Sequence, residues 1–307
     1  MRIRKSILRV GNLFAAALAC ATSGRAAEVS AFVSILPHKT FVENVGGKRV
    51  NVQALVRPGQ SPAIFEPTPR DMADLASADV YFRTGVPFEA GMMPRIRRSM
   101  KTLRIVDLRD GIELRRMKGA AGDEGEVGTH RHSHHHGEQH EGGPPDPHIW
   151  LSPVLAKQQA RTIRDALIDL DPSGRPTYAA NCNAFIEKLD ALHQSLQSAL
   201  EPVRGDDLFV FHPAFGYFAD AYGLHQVPVE IRGKEPTPRE LTRFVARARR
   251  QNVRVIFVQK QFSQASARAL ARAIDGAVVA LDPLAEDYLA NMKRMARKIR
   301  SGLQRAE

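Results

Sequence analysis

The chain has 307 residues, 43% of them apolar, and a formal net charge of +11. That length suits two domains, each with its own core, and no stretch is long and apolar enough to span a bilayer. The positive charge does not point to nucleic acid: five basic residues lie in a segment expected to be removed, which leaves +6, and the rest lack interleaved aromatics.

Arg2, Arg4, Lys5 and Arg9 precede a short apolar run at residues 13–21, LFAAALACA. Gly24-Arg25-Ala26 then offers small residues at the positions a signal peptidase reads. This pattern predicts a secretory signal peptide over residues 1–26. Cys20 admits a lipoprotein as the alternative, although Leu18 stands one place away from where a lipobox needs it. The mature chain then keeps one cysteine, Cys182, so no internal disulfide forms. Its helical setting predicts an inert, partly buried thiol.

Residues 31–36, AFVSIL, read as a strand ending at Pro37-His38, followed by a helix closed by Gly46-Gly47. Residues 50–56 alternate as a strand. Residues 57–69 carry four prolines and read as an ordered loop. Thr68, with Pro69 and Asp71, predicts a helix start. A strand at 80–82, a helix at 88–100 and a strand at 103–106 complete an α/β unit with a largely parallel sheet. Residues 110–147 show little regular pattern, which in a compact domain marks a functional or disordered segment. Helices follow over 153–170 and 176–203. The second has apolar residues from Tyr178 to Leu200 at spacings of three, four and seven. The second half repeats the alternation: strands at 207–211, 226–231, 253–258 and 277–281, and helices at 214–222, 237–251, 263–274 and 286–303. The helix at 237 opens with a capping box, Thr237-Pro238-Arg239-Glu240. The predicted fold is α/β in two lobes, residues 27–172 and 205–307. Each lobe is a mainly parallel sheet flanked by helices, and one long rigid helix at 173–204 joins them.

Seven of the eleven histidines fall between residues 130 and 148. His130, His132, His134, His135, His136 and His140 stand in a polar stretch that predicts a mobile loop over 118–145, here read as an auxiliary metal collector. A purification tag is the bland alternative, but tags sit at termini and are uninterrupted. His148 differs, lying in the apolar run Asp146-Pro147-His148-Ile149-Trp150-Leu151. His38, His212 and Asp282 each follow an apolar strand. In open α/β sheets ligands bind beyond the carboxyl ends of the strands, so these four side chains are expected to meet in the cleft between the lobes. Three imidazoles and one carboxylate suit Zn²⁺ in a closed tetrahedral site, which holds a metal rather than using it as a Lewis acid. The bland reading is that His38, His148 and His212 are structural hydrogen-bonders and Asp282 a helix cap before Pro283. His193 and His225 read as surface or core residues, and Trp150 as packing beside the site.

Four segments carry a family resemblance: Gly59-Gln60-Ser61-Pro62 through Glu66-Pro67-Thr68-Pro69, Asp146-Pro147-His148-Ile149-Trp150-Leu151-Ser152-Pro153, Phe211-His212-Pro213-Ala214-Phe215-Gly216-Tyr217-Phe218, and Leu281-Asp282-Pro283-Leu284. Over nearly the whole mature chain the sequence resembles the metal-binding solute-binding proteins of ABC transporters that import zinc and manganese. The resemblance implies two α/β lobes on one long helix. It also implies a monomer in the periplasm that captures Zn²⁺ and delivers it to an inner-membrane ABC permease, with no catalysis. A histidine-rich insertion is typical of the zinc branch, and the manganese branch typically has glutamate where His212 stands. One departure matters. The family's first ligand is usually a histidine where this chain has Ala63. His38 is the nearest replacement; Glu66, a loop histidine or a water are the alternatives. Three other readings stay open: a periplasmic zinc chaperone or buffer without a permease, a manganese-binding homologue, and a zinc hydrolase. The last needs an open coordination position and a general base as in His-Glu-x-x-His, a motif absent here.

Overall fold

The structure, a computed structural model, describes residues 28–117, 143–229, 238–251, 253–261 and 264–304. The expected signal peptide with Cys20, the histidines from His130 to His140 and the Thr237 cap lie outside the described residues.

The first half alternates β1 (Val29–Val33), α1 (Leu36–Gly46), β2 (Val50–Ala54), α2 (Pro69–Ala76), β3 (Val80–Arg83), α3 (Pro87–Ser99) and β4 (Arg104–Asp107). Two long helices follow, α4 (Pro153–Leu170) and α5 (Arg175–Leu200). The second half comprises β5 (Asp207–Val210), α6 (Gly216–Tyr222), β6 (His225–Pro228), α7 (Pro238–Arg250), β7 (Val255–Gln259), α8 (Gln264–Ala273), β8 (Ala277–Leu281) and α9 (Tyr288–Gln304). Every described strand pair is parallel, and the strand orders are β2-β1-β3-β4 and β6-β5-β7-β8. The second half thus repeats the topology of the first.

Strand periodicity explains why both faces of the second sheet need cover. Leu208 and Val210 of β5, with Val255 and Phe257 of β7, join the main core. Their alternates Phe209, Ile256 and Val258 join a second core with Phe244 and Ala248 of α7, Leu270 of α8 and Ile274 just after it. A strand whose two faces are both apolar has to be sandwiched between helices, as parallel sheets are.

Helix α5 ties the halves together. Tyr178, Cys182, Phe185, Leu189, Leu192, Leu196 and Leu200 are buried along one stripe, the pattern of an amphipathic helix. Its 26 residues span ~39 Å at ~1.5 Å per residue. It packs on α1 and α4 of the first half and on α9 of the second, so the main core runs unbroken through both. Cys182 is fully buried, and burial pushes its thiol pKa up, which makes it the inert thiol expected.

The first strand departs from the sequence reading. It ends at Val33, and α1 begins at Leu36, so His38 occupies the first helical turn and not a strand end. Pro37 accounts for this. Its fixed φ suits the first turn, and its missing N–H is one the helix leaves unpaired there. At α2 the expected start is present: Thr68 and Asp71 form a reciprocal capping box.

Candidate metal site

Asp146 and His148 form the most rigid part of the site. Both the backbone N–H and the ring Nδ1 of His148 lie against Asp146 Oδ1, at 2.9 and 2.7 Å. A carboxylate on Nδ1 keeps the proton there and leaves the Nε2 lone pair for a metal. Asp146 is itself pinned. Its N–H donates to Arg115 O at 2.8 Å, and its carbonyl accepts from Tyr217 Oη at 3.1 Å. The same hydroxyl accepts from Arg115 N at 2.9 Å, and Arg115 pairs with Asp220 of α6. Tyr217 therefore ties both flanks of the histidine-rich segment to the second lobe. A Cβ on Gly216 would lie 2.8 Å from Arg115 Nε and 3.0 Å from Asp146 Oδ2, so a side chain there would push both groups from their places.

His212 comes from the second lobe, just after β5. Gln259 of the neighbouring β7 holds its backbone, accepting from His212 N at 3.4 Å and donating to His212 O at 2.9 Å. The His148 and His212 rings lie 5.3 Å apart between centroids. Two of the predicted ligands, one from each lobe, are therefore neighbours.

Trp150 carries the arrangement towards Asp282. Its ring lies 5.2 Å from His148 and 5.9 Å from His38. Its indole N–H donates to Pro283 O at 2.9 Å, and its own carbonyl accepts from Tyr288 Oη at 2.7 Å. Asp282 directly follows β8; its carbonyl accepts from Asn291 Nδ2 at 2.6 Å. Asp282 also lines a cavity of about 220 Å³ with Arg57, Gly59, Gln261 and Glu286.

His38 is placed differently. It is fully buried, with Nε2 2.7 Å from Gln159 Oε1 of α4 and its ring edge-on to Phe41. The amide oxygen puts the proton on Nε2, and Nδ1 is buried without a hydrogen-bond partner. Ala63 and Glu66 lie on the loop between β2 and α2, Glu66 exposed, and Ile64 between them is 81% exposed. Among the described residues, no three His, Cys, Asp or Glu side chains stand close enough to hold a metal. His148 and His212 are thus brought together, while His38 and Asp282 are engaged with other partners nearby.

Burial pushes the His38 pKa down from 6.5 to about 4, against the smaller upward pull of the Gln159 bond. The unfolded chain therefore takes this proton first as pH falls. The contribution of the neutral His38 to stability is full above pH 6.5 and is lost as pH falls from 6.5 towards 4, by about 3 kcal/mol. We expect His38→Leu to flatten the dependence of the urea-unfolding free energy on pH in that window. An unchanged slope would show that another group carries it.

Sequence reasoning missed the residues that hold these side chains: Asp146, Gln159, Gln259 and Tyr217. Asp146 alone had a local signal, standing two residues before His148.

Comparison with known proteins places the chain in a family. The family description "ZnuA: Zinc-uptake complex component A periplasmic" matches residues 32–302. A crystal structure of ZnuA superposes with a TM-score of 0.79 and 35% identity, covering 90% of this chain and 99% of the other. The high-affinity zinc uptake system protein ZnuA of Yersinia pestis is 28% identical over 283 residues, 89% of this chain and 88% of the relative. The zinc-binding lipoprotein AdcA of Streptococcus pneumoniae is 26% identical over 286 residues, and the alignment spans 92% of this chain but only 56% of that longer protein. The chain belongs to the ZnuA family, the zinc-binding solute-binding proteins that form component A of periplasmic zinc-uptake complexes.

Proposed function

We propose that this protein captures Zn²⁺ in the periplasm and hands it to an ABC permease in the inner membrane, working as a monomer after removal of residues 1–26. The lobes divide at the connecting helix, with residues 27–172 before it and 205–307 after. The ion is cargo, not a catalytic cofactor, and no bond of a substrate is made or broken. The observation that carries the reading is the meeting of His148 and His212 across the lobes, with His148 Nδ1 already committed to Asp146.

We assign His148, His212 and Asp282 as ligands. The fourth is His38, in place of the family histidine at Ala63, acting through Nδ1, the ring nitrogen without a hydrogen-bond partner. Imidazole nitrogens favour zinc over the harder manganese ion. The ligands converge only as the ion binds, because His212 and Asp282 have to turn towards it. The histidines from His130 to His140 act as a weaker collector.

Titration of the full chain against a zinc chelator tests this. Deleting residues 130–140 should lower the number of zinc ions bound and leave one tight site per chain. Loss of the tight site with the deletion would move the primary site to the loop and overturn the cleft assignment.

A further inference from the structure

Asp282 is held by Lys260 and Gln261, just after β7, and by the backbone of Leu284, just after β8. Gln261 Nε2 and the backbone N–H of Leu284 donate to Oδ1, at 3.1 and 3.2 Å. The ammonium of Lys260 stands 3.4 Å from the other oxygen, Oδ2. The carboxylate is therefore divided: neutral N–H donors hold one oxygen, and a cation sits on the other. Lys260 is 61% exposed against 21% for Asp282, so its charge can leave for water at little cost. Asp287 also acts on it electrostatically, but that carboxylate is already paired with Arg294 at 2.7 Å.

We propose that Lys260 is a built-in competitor for the metal, holding Oδ2 of Asp282 until a divalent cation takes that oxygen and displaces the ammonium. The proposal rests on the reading of Asp282 as a ligand.

Two effects follow, and both weaken metal binding. The entering ion has to break an ion pair, which at such exposure is a modest cost. The displaced ammonium stays tethered near the bound ion and repels it, an effect that salt screens. The competition is selective. A hard cation bound mainly through charge and oxygen depends on the carboxylate that Lys260 neutralises. Zinc draws also on the imidazole lone pairs of His148 and His212, so less of its affinity depends on that carboxylate. Lys260 thus lowers affinity for calcium- and magnesium-like ions more than for zinc, and it keeps the zinc site loose enough to release its cargo.

The test is zinc affinity by chelator competition for the parent, Lys260→Gln, Lys260→Arg and Asp282→Asn, and for Lys260→Gln combined with Asp282→Asn. We expect Lys260→Gln to bind zinc about fivefold tighter, the size of an exposed ion pair. The gain should shrink between about 0.01 M salt, where the Debye length is about 30 Å, and about 1 M, where it is about 3 Å. Lys260→Arg should match the parent, and Lys260→Gln should change nothing once Asp282 is Asn. If Asp282→Asn weakens binding while Lys260→Gln leaves it unchanged, the competitor role falls and the ligand reading stands. If Asp282→Asn leaves zinc affinity intact, both fall.

Discussion

Replacing His148 and His212 together by alanine should weaken zinc binding by about ten-thousandfold while leaving the fold in place. Structural zinc sites bind with apparent free energies of about 10–16 kcal/mol. Shared over four ligands, that is about 3 kcal/mol each, and two ligands account for about 6 kcal/mol, on the order of 10⁴ in Kd. The two rings come from opposite lobes and are 5.3 Å apart, so the double variant removes the imidazoles of both lobes at once. Each single variant should lose about a hundredfold. Tryptophan emission is the internal control, because Trp150 is the only tryptophan and lies 5.2 Å from His148. An unchanged emission maximum with lost affinity assigns the effect to ligation. Affinity within tenfold of the parent in the double variant would remove both residues from the site.

Trp150→Ala should destabilise the protein by about 5 kcal/mol in urea unfolding, and weaken zinc binding as well. Trp150 is 1% exposed and among the largest fully buried side chains. Truncating a buried tryptophan costs about 3–5 kcal/mol in lost transfer and cavity energy. Losing the indole donor leaves Pro283 O without its partner, a further cost of about 1–3 kcal/mol. Trp150→Phe keeps most of the ring and gives up the donor, so it should cost about 1–3 kcal/mol. Unfolding has to be followed by circular dichroism, since either change removes the fluorophore. A loss below 1 kcal/mol for the alanine variant would mean that the 282–288 segment is held to the first lobe by other contacts.

The parts of this molecule written in local patterns were legible in the sequence. The stripe from Tyr178 to Leu200 announced α5, and the alternation of apolar runs and capped helices announced two parallel sheets on one long helix. His38 was misplaced because AFVSILPH reads equally well as a strand running up to Pro37. Pro37 suits the first helical turn as well as a strand end, and packing of α1 against α4 and α5 favours the helix from Leu36. The site was legible as residue types and illegible as partners. Gln159 meets His38 across 121 positions of sequence, and Lys260 and Gln261 meet Asp282 only because β7 and β8 are adjacent. No spacing rule encodes such pairs. The exception is Asp146, whose hold on His148 spans two residues. Local reading could have assigned that role, since histidines that bind metals commonly give their second nitrogen to a carboxylate.

The central claim is that one zinc ion sits between the lobes on His148, His212 and Asp282. The most direct test is a crystal of the zinc-loaded protein measured at the zinc absorption edge. One strong anomalous peak is expected in the cleft, about 2.0–2.1 Å from an imidazole nitrogen of each histidine and about 2.0–2.2 Å from an Asp282 oxygen. A peak that touches only histidines of the 130–140 segment, with none between His148 and His212, would contradict it.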